Sequence, residues 1–206
     1  MNASARRMLE RVADRLTIHF FGTFSADIVY RYVVESYELL AATARVQRHL
    51  VVLTERFAAQ RLTALAQADG NLAKPVVEVL FVCDGNAGRS QMAAALAVVR
   101  SRGRLHARSA GRRPAAALEL GIVSVMEEIG VDLTAEFPKP LTDELVRAAD
   151  VVVTLGCGGA CAIHPGTRYL DWPVPNPVGL PLDEVRRIRD EIDLLVTDLL
   201  ESLPAP

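Results

Sequence analysis

The segment Val82-Cys83-Asp84-Gly85-Asn86-Ala87-Gly88-Arg89-Ser90 decides how this chain is read. Before it runs Val76-Val77-Glu78-Val79-Leu80-Phe81-Val82, a short, apolar, β-branched stretch of the kind that forms a buried parallel strand. After it, a helix is predicted from about Ser90 to Arg100. A strand ending where a helix begins turns several backbone N–H groups, and the positive end of the helix dipole, into one small cavity. Gly85 and Gly88 allow close backbone approach and positive φ, and Asn86 tolerates a left-handed conformation. Arg89 is able to grip two oxygens of a tetrahedral oxyanion at once. The same surroundings stabilise a thiolate, so Cys83 reads as a nucleophile at neutral pH, with Ser90 available to donate a hydrogen bond to its sulfur. A cysteine, five residues and an arginine is a loose pattern, and it also describes a buried structural cysteine with an exposed arginine a turn away. The strand before, the helix after and the glycines within supply the context that a motif needs. The candidate oxyanion site is therefore Gly85, Asn86, Ala87, Gly88, Arg89 and Ser90 around Cys83.

Outward from this segment, strands and helices alternate. A short strand is predicted near Leu105–Ser109, helices over about Ala116–Ile129 and Thr142–Ala149, and a strand over Asp150–Leu155. A short strand near Arg168–Leu170 and an amphipathic helix over about Leu182–Leu200 complete the chain. That alternation implies an α/β fold with a four-stranded, doubly wound parallel sheet over residues 76–206. Residues 1–72 read differently, as a small three-helix domain. Its first helix covers about Ser4 to Phe20, with Met8, Val12 and Leu16 on one face. The second follows Ser25 as N-cap and carries Ile28, Tyr32, Leu39 and Leu40. The third covers about His49 to Ala66, with Val52, Leu53, Phe57 and Leu62 as its apolar positions. Gly70, Asn71 and Pro75 are breaker residues and place a linker near Ala68–Pro75.

Composition narrows the function. The 206 residues carry a net charge of -2 and are 50% hydrophobic, which fits a folded protein and gives no reason to expect a nucleic-acid partner. Arginines at 45, 48, 56 and 61 are interleaved with Glu35, Glu38 and Glu55, the pattern of an ordinary solvated surface. No apolar stretch reaches the roughly 18 residues of a membrane span, and the first fifteen residues lack an apolar signal core, so a cytoplasmic location is expected. Three cysteines in a reducing compartment read as reactive thiols rather than a disulfide framework. Cys157 follows a strand whose carboxyl end shares the sheet edge of Cys83, and glycines at 156, 158 and 159 surround it. A zinc site from Cys157, Cys161 and His164 lacks an obvious fourth ligand other than Cys83, so no metal is expected.

Residues 76–206 resemble the arsenate reductases that share the fold of low-molecular-weight protein tyrosine phosphatases. The resemblance rests on Asn-Ala-Gly-Arg-Ser-Gln-Met at 86–92, Ser109-Ala110-Gly111, Pro138-Lys139, Thr154-Leu155-Gly156-Cys157, His164-Pro165-Gly166 and Asp171-Trp172, and on matches across 184–192. The first 70 or so residues resemble an extension on some actinobacterial arsenate reductases. The resemblance implies that Cys83 and Arg89 act on arsenate, with phosphate as a competing anion, and that Cys157 then Cys161 relay a disulfide outward. It implies no bound cofactor, with electrons from thioredoxin or, as second choice, mycothiol with a mycoredoxin. The helical domain is then a stabilising cap or a homodimer contact. Two residues depart from the family pattern. Asn176-Pro177 stands where an aspartate serves as general acid, which harms ester hydrolysis more than arsenate reduction. Asp84 places a carboxylate beside the nucleophile, where it would disfavour a thiolate and repel a dianion unless it points outward to a cation. The remaining alternatives are a tyrosine phosphatase and a non-catalytic oxyanion-binding module.

Overall fold

The computed structural model describes residues 3–43, 49–157 and 163–204, which divide into two compact units, Met1–Ala73 and Lys74–Pro206. Cys161, Gly158, Gly159, Arg45 and Arg48 lie outside the described residues.

The first unit holds three helices, α1 (Ala3–His19), α2 (Ala26–Ala41) and α3 (Leu50–Ala68). Ser25 caps α2 by accepting the Ile28 N–H at 3.4 Å. The core is built by Leu9, Val12, Ala13 and Leu16 of α1, Val29 and Val33 of α2, and Ala58 and Leu62 of α3, with Phe20 between helices. Val12, Leu16, Leu40, Phe57 and Leu62 are buried as expected, but Met8, Leu39 and Val52 are exposed, and Leu9, Val29 and Val33 are buried instead. Helix α2 carries two adjacent apolar stripes, and its packing partners, not its own periodicity, select the inner one. Arg61 is a second correction. It does not belong to a solvated surface but is buried, bonded to Ser36 Oγ at 3.1 Å and Glu35 at 3.2 Å, and stacked over the Tyr32 ring at 4.6 Å.

The second unit is a four-stranded parallel sheet in the order β2-β1-β3-β4, from β1 (Val77–Cys83), β2 (Leu105–Gly111), β3 (Val151–Leu155) and β4 (Arg168–Trp172). Helices α4 (Arg89–Ser101), α5 (Leu120–Glu127) and α7 (Leu182–Ser202) cover one face. There Val79 and Phe81 of β1 and Val151, Val153 and Leu155 of β3 meet Met92 and Leu96 of α4, Ile122 and Met126 of α5, and Ile188 and Ile192 of α7. The alternate residues Leu80, Val82 and Val152 face the other side, where α6 (Asp143–Ala148) packs on β1. This is the expected doubly wound α/β fold. Among the described residues, no helix is long and apolar enough to cross a membrane.

One predicted boundary moves substantially: α5 begins at Leu120 rather than near Ala116. The N–H groups of Arg112, Arg113, Ala115 and Glu119 are bonded to the carbonyls of Cys83, Asp84, Gly85 and Ala87. These bonds hold residues 112–119 against the loop, and the helix begins after them.

The beginnings of β1 and β3 are fastened together. The Asp150 carboxylate accepts the Glu78 N–H at 2.9 Å and the Lys74 ammonium at 2.9 Å. The Glu78 carboxylate, deeply buried, is paired with the buried Arg108 guanidinium and with His106 Nδ1 at 2.6 Å. Breaking a buried pair strands the opposite charge, a loss of about 3–5 kcal/mol. Glu78→Ala is therefore expected to lower unfolding stability by about that amount in urea titrations; a change under about 1 kcal/mol would mean that Arg108 is satisfied without Glu78.

Candidate active site

The loop between β1 and α4 is organised by where its carbonyls go. Asp84, Gly85 and Ala87 each direct a carbonyl oxygen to a backbone N–H of 113–119, at 2.8, 2.8 and 3.1 Å. The Asn86 carbonyl accepts from Gln91 Nε2 at 3.2 Å. In a trans peptide the N–H lies opposite the C=O, so the N–H groups of Gly85 through Gly88 turn away from those donors. The Asn86 N–H reaches Cys83 Sγ at 3.2 Å. Such a nest of donors at the start of a helix is able to surround a tetrahedral anion.

Asn86, with φ of 47° and no exposed surface, is the left-handed residue of the loop. This corrects the expectation of positive φ at Gly85 and Gly88. Gly88 has φ of -149°, and a side chain there would press on Pro177 and Ile122 at 3.3 and 3.5 Å. Asn86 Oδ1 accepts the Lys139 N–H at 2.7 Å, and because a backbone N–H can only donate, the amide orientation is settled. Nδ2 then donates to Ser90 Oγ at 2.8 Å, which leaves the Ser90 proton for Cys83 Sγ at 3.0 Å. Gln91 buttresses the chain through Asn86 Oδ1 at 3.0 Å and the Phe137 carbonyl at 2.9 Å. Gln91, Lys139 and Gly111 were not among the sequence candidates as site residues. A side chain at Gly111 would stand 2.8–2.9 Å from Asn86 and the Asp84 carbonyl, so the end of β2 presses directly on the loop.

Arg89, nearly buried at the first position of α4, directs Nη1 to the Val174 carbonyl at 3.1 Å. It lies flat against Gly156, where φ is 62° and a Cβ would come within 2.3 Å of Nη1. The backbone just before Cys157 is thus the seat of the arginine. Cys157 is buried, and its thiol points to the Val82 carbonyl at 3.5 Å. Burial pushes this thiol above its ordinary range, opposed first by a hydrogen bond with the Leu155 backbone, then helped by the proximity of Cys83 and opposed by Arg112 and Arg89.

Asp84 does not face the loop's interior. Arg113 holds its carboxylate through two contacts of 2.8 and 3.2 Å at the protein surface, and that hydrogen-bonded guanidinium keeps it below the usual carboxylate range. Asn176 is exposed, with Oδ1 3.5 Å from the Val178 N–H, while its neighbour Pro177 is buried. Asp171 is held by the Thr154 hydroxyl at 2.5 Å. The His164 backbone N–H donates to the Tyr169 hydroxyl at 2.9 Å, and the imidazole Nε2 stands 3.4 Å from Asp143. Among the described residues, no three acidic, histidine or cysteine side chains converge to hold a metal ion.

Gly156→Ala is expected to displace Arg89 and to weaken phosphate protection of Cys83 against iodoacetamide by about tenfold, the effect of losing a charge-assisted contact. Protection equal to wild type would show that Arg89 does not depend on Gly156. Labelling followed by mass spectrometry over pH checks the second thiol. The Cys157 thiol remains protonated through neutral pH, so its alkylation should rise only above the range of a free cysteine, about pH 8.5.

Comparison with known proteins assigns the chain. Residues 9–66 match the family described as protein-tyrosine-phosphatase-like, N-terminal domain, and residues 78–205 match low molecular weight phosphotyrosine protein phosphatase. A thioredoxin-dependent arsenate reductase from Corynebacterium glutamicum superposes with a TM-score of 0.87 at 43% identity, over 95% of this chain and 96% of that one. A putative arsenate reductase from Halobacterium salinarum is 35% identical over 128 residues, 59% of this chain and 89% of its own length. A low molecular weight protein tyrosine phosphatase from T. tengcongensis, at 26% identity and a TM-score of 0.56, covers 62% of this chain and all of its own. The chain belongs to the low molecular weight phosphotyrosine protein phosphatase family, with arsenate reductases among its relatives.

Proposed function

We propose that this protein reduces arsenate to arsenite with thiols, drawing its electrons from thioredoxin. The observation that carries the proposal is the seating of a second thiol beside the anion loop: Gly156 packs on Arg89, and Cys157 follows it directly. The similarity to the thioredoxin-dependent enzyme of C. glutamicum along nearly the whole chain supports the same reading.

In this reading the N–H groups of the loop, from Gly85 through Ser90, and the Arg89 guanidinium hold the arsenate oxyanion, and phosphate competes for the same place. Cys83 displaces a hydroxyl of arsenate, which takes up the proton given up by the thiol and leaves as water, and a sulfur–arsenic bond forms. Cys157 then attacks the Cys83 sulfur: a sulfur–sulfur bond forms, the sulfur–arsenic bond breaks, and its electron pair passes to arsenic, which departs as arsenite. Two thiols have been oxidised and one arsenic reduced from the +5 to the +3 state. Cys161 takes over the disulfide with Cys157, and thioredoxin reduces that pair. No bound cofactor is needed. The reaction belongs in the reducing cytoplasm, and the helical residues 1–72 serve as a stabilising cap or a homodimer contact for the catalytic residues 76–206.

Phosphatase activity is the second reading, favoured by the family itself. It requires an acid for the leaving alkoxide, and Asn176 has no proton to give while Asp171 is engaged by Thr154. Arsenic needs no such acid, because its leaving oxygen departs as water.

The test is arsenite production with thioredoxin, thioredoxin reductase and NADPH. Cys83→Ser should lose all activity, and Cys157→Ser and Cys161→Ser should lose multiple turnover. Full activity of Cys161→Ser with thioredoxin would remove the third thiol from the scheme. Turnover only with mycothiol and mycoredoxin would change the reductant. Hydrolysis of aryl phosphates without any arsenite would establish the phosphatase instead.

A further inference from the structure

We propose that Arg112 is a positioning residue that ties the second thiol to the nucleophile. The proposal rests on the assignment of Cys83 and Cys157 to the arsenate-reducing sequence.

Arg112 immediately follows β2 and touches both cysteines through carbonyl oxygens. Its backbone N–H donates to the Cys83 carbonyl at 3.2 Å, and its Nη1 donates to the Cys157 carbonyl at 2.8 Å. One residue therefore straps the end of β1 to the segment that follows β3. Arg113, next in sequence, turns instead to Asp84, so the two guanidinium groups serve different ends.

The strap answers a geometric need. Displacement at the Cys83 sulfur requires the incoming sulfur, the Cys83 sulfur and the leaving arsenic to lie close to one line. The chain is fixed just before Cys157, where the left-handed Gly156 donates its N–H to the Trp172 carbonyl at 3.1 Å, and Arg112 adds a tie at the Cys157 carbonyl itself. The Cys157 thiol meets the Val82 carbonyl and is hydrogen-bonded by the Leu155 backbone, while Arg112 holds the residue's carbonyl. Orientation of a reacting pair is worth orders of magnitude in rate, and a charge-assisted hydrogen bond on the nucleophile's own backbone is a direct means of supplying it. The guanidinium charge also opposes the effect of burial on the Cys157 thiol, favouring its ionised, attacking form. The Arg112 side chain donates to the Cys157 carbonyl and not to a carbonyl of the anion loop, so its hydrogen bond acts on the second step.

The experiment uses the full chain in a Cys161→Ser background, where the Cys83–Cys157 disulfide cannot move on. Three quantities are measured for Arg112 and for Arg112→Ala, →Gln and →Lys. They are single-turnover arsenite release without thioredoxin, disulfide formation driven by diamide, and phosphate protection of Cys83. Arg112→Ala is expected to slow arsenite release and diamide oxidation together by about tenfold or more, with phosphate protection within about twofold of the parent. Arg112→Lys, which keeps one charged donor, should recover most of the rate. Arg112→Gln keeps a donor without the charge and stands in if the alanine variant does not fold. Rates equal to the parent in both oxidations overturn the proposal, as does a loss of phosphate protection equal to the loss of rate. If the parent releases no arsenite but diamide oxidation still depends on Arg112, the strap stands and the arsenate assignment falls.

Discussion

The site depends on one constraint: every loop carbonyl from Asp84 to Ala87 is taken by a donor outside the loop. Because peptide groups are planar and trans, satisfying the oxygens in this way turns the N–H groups inward. The inward face then needs an acceptor, and the Cys83 sulfur is the first, through the Asn86 N–H. The same commitment shapes distant parts of the chain. The N–H groups of Arg112, Arg113, Ala115 and Glu119 serve the loop, and α5 starts only after them, at Leu120.

A second consequence is directional. A backbone donor, the Lys139 N–H, settles the orientation of the Asn86 amide, and that amide donates to the Ser90 hydroxyl, whose own proton is free for the sulfur at position 83. Buried networks of this kind are stable only when fully satisfied. Gln91 completes it by filling the remaining acceptors of Asn86 and the Phe137 carbonyl.

The two residues that depart from the family pattern have different consequences. Asp84 is harmless to an anion site because Arg113 neutralises it at the surface, where ion pairs are screened. Asn176 changes the chemistry, since no neighbour on its loop brings a carboxylic acid in its place; Asp171 is turned to the sheet. A loop able to hold a tetrahedral anion and a second thiol on the arginine's seat remain, and these are the parts that thiol-based reduction uses.

What the sequence determined by itself was local. The apolar run ending at Val82, the helix after it and the Cys-x5-Arg spacing sufficed for the strand, the loop and a four-stranded parallel sheet, because strand hydrophobicity and βα alternation are short-range signals; the order β2-β1-β3-β4 came only with the fold. Ser25 as N-cap was legible for the same reason. Tertiary structure decided what depended on partners far along the chain. Which stripe of α2 is buried, why Asn86 and not a glycine takes positive φ, and where the Asp84 carboxylate points follow from α1 and α3, from Lys139 and from Arg113 respectively. Arg112 was invisible as a site residue, since nothing in its local pattern marks an arginine whose backbone and side chain reach two cysteines 74 positions apart, 83 and 157, only when β2, β1 and β3 lie side by side. Periodicity records how a segment meets a core, whereas the direction of a hydrogen bond is settled by whichever partner folding brings near.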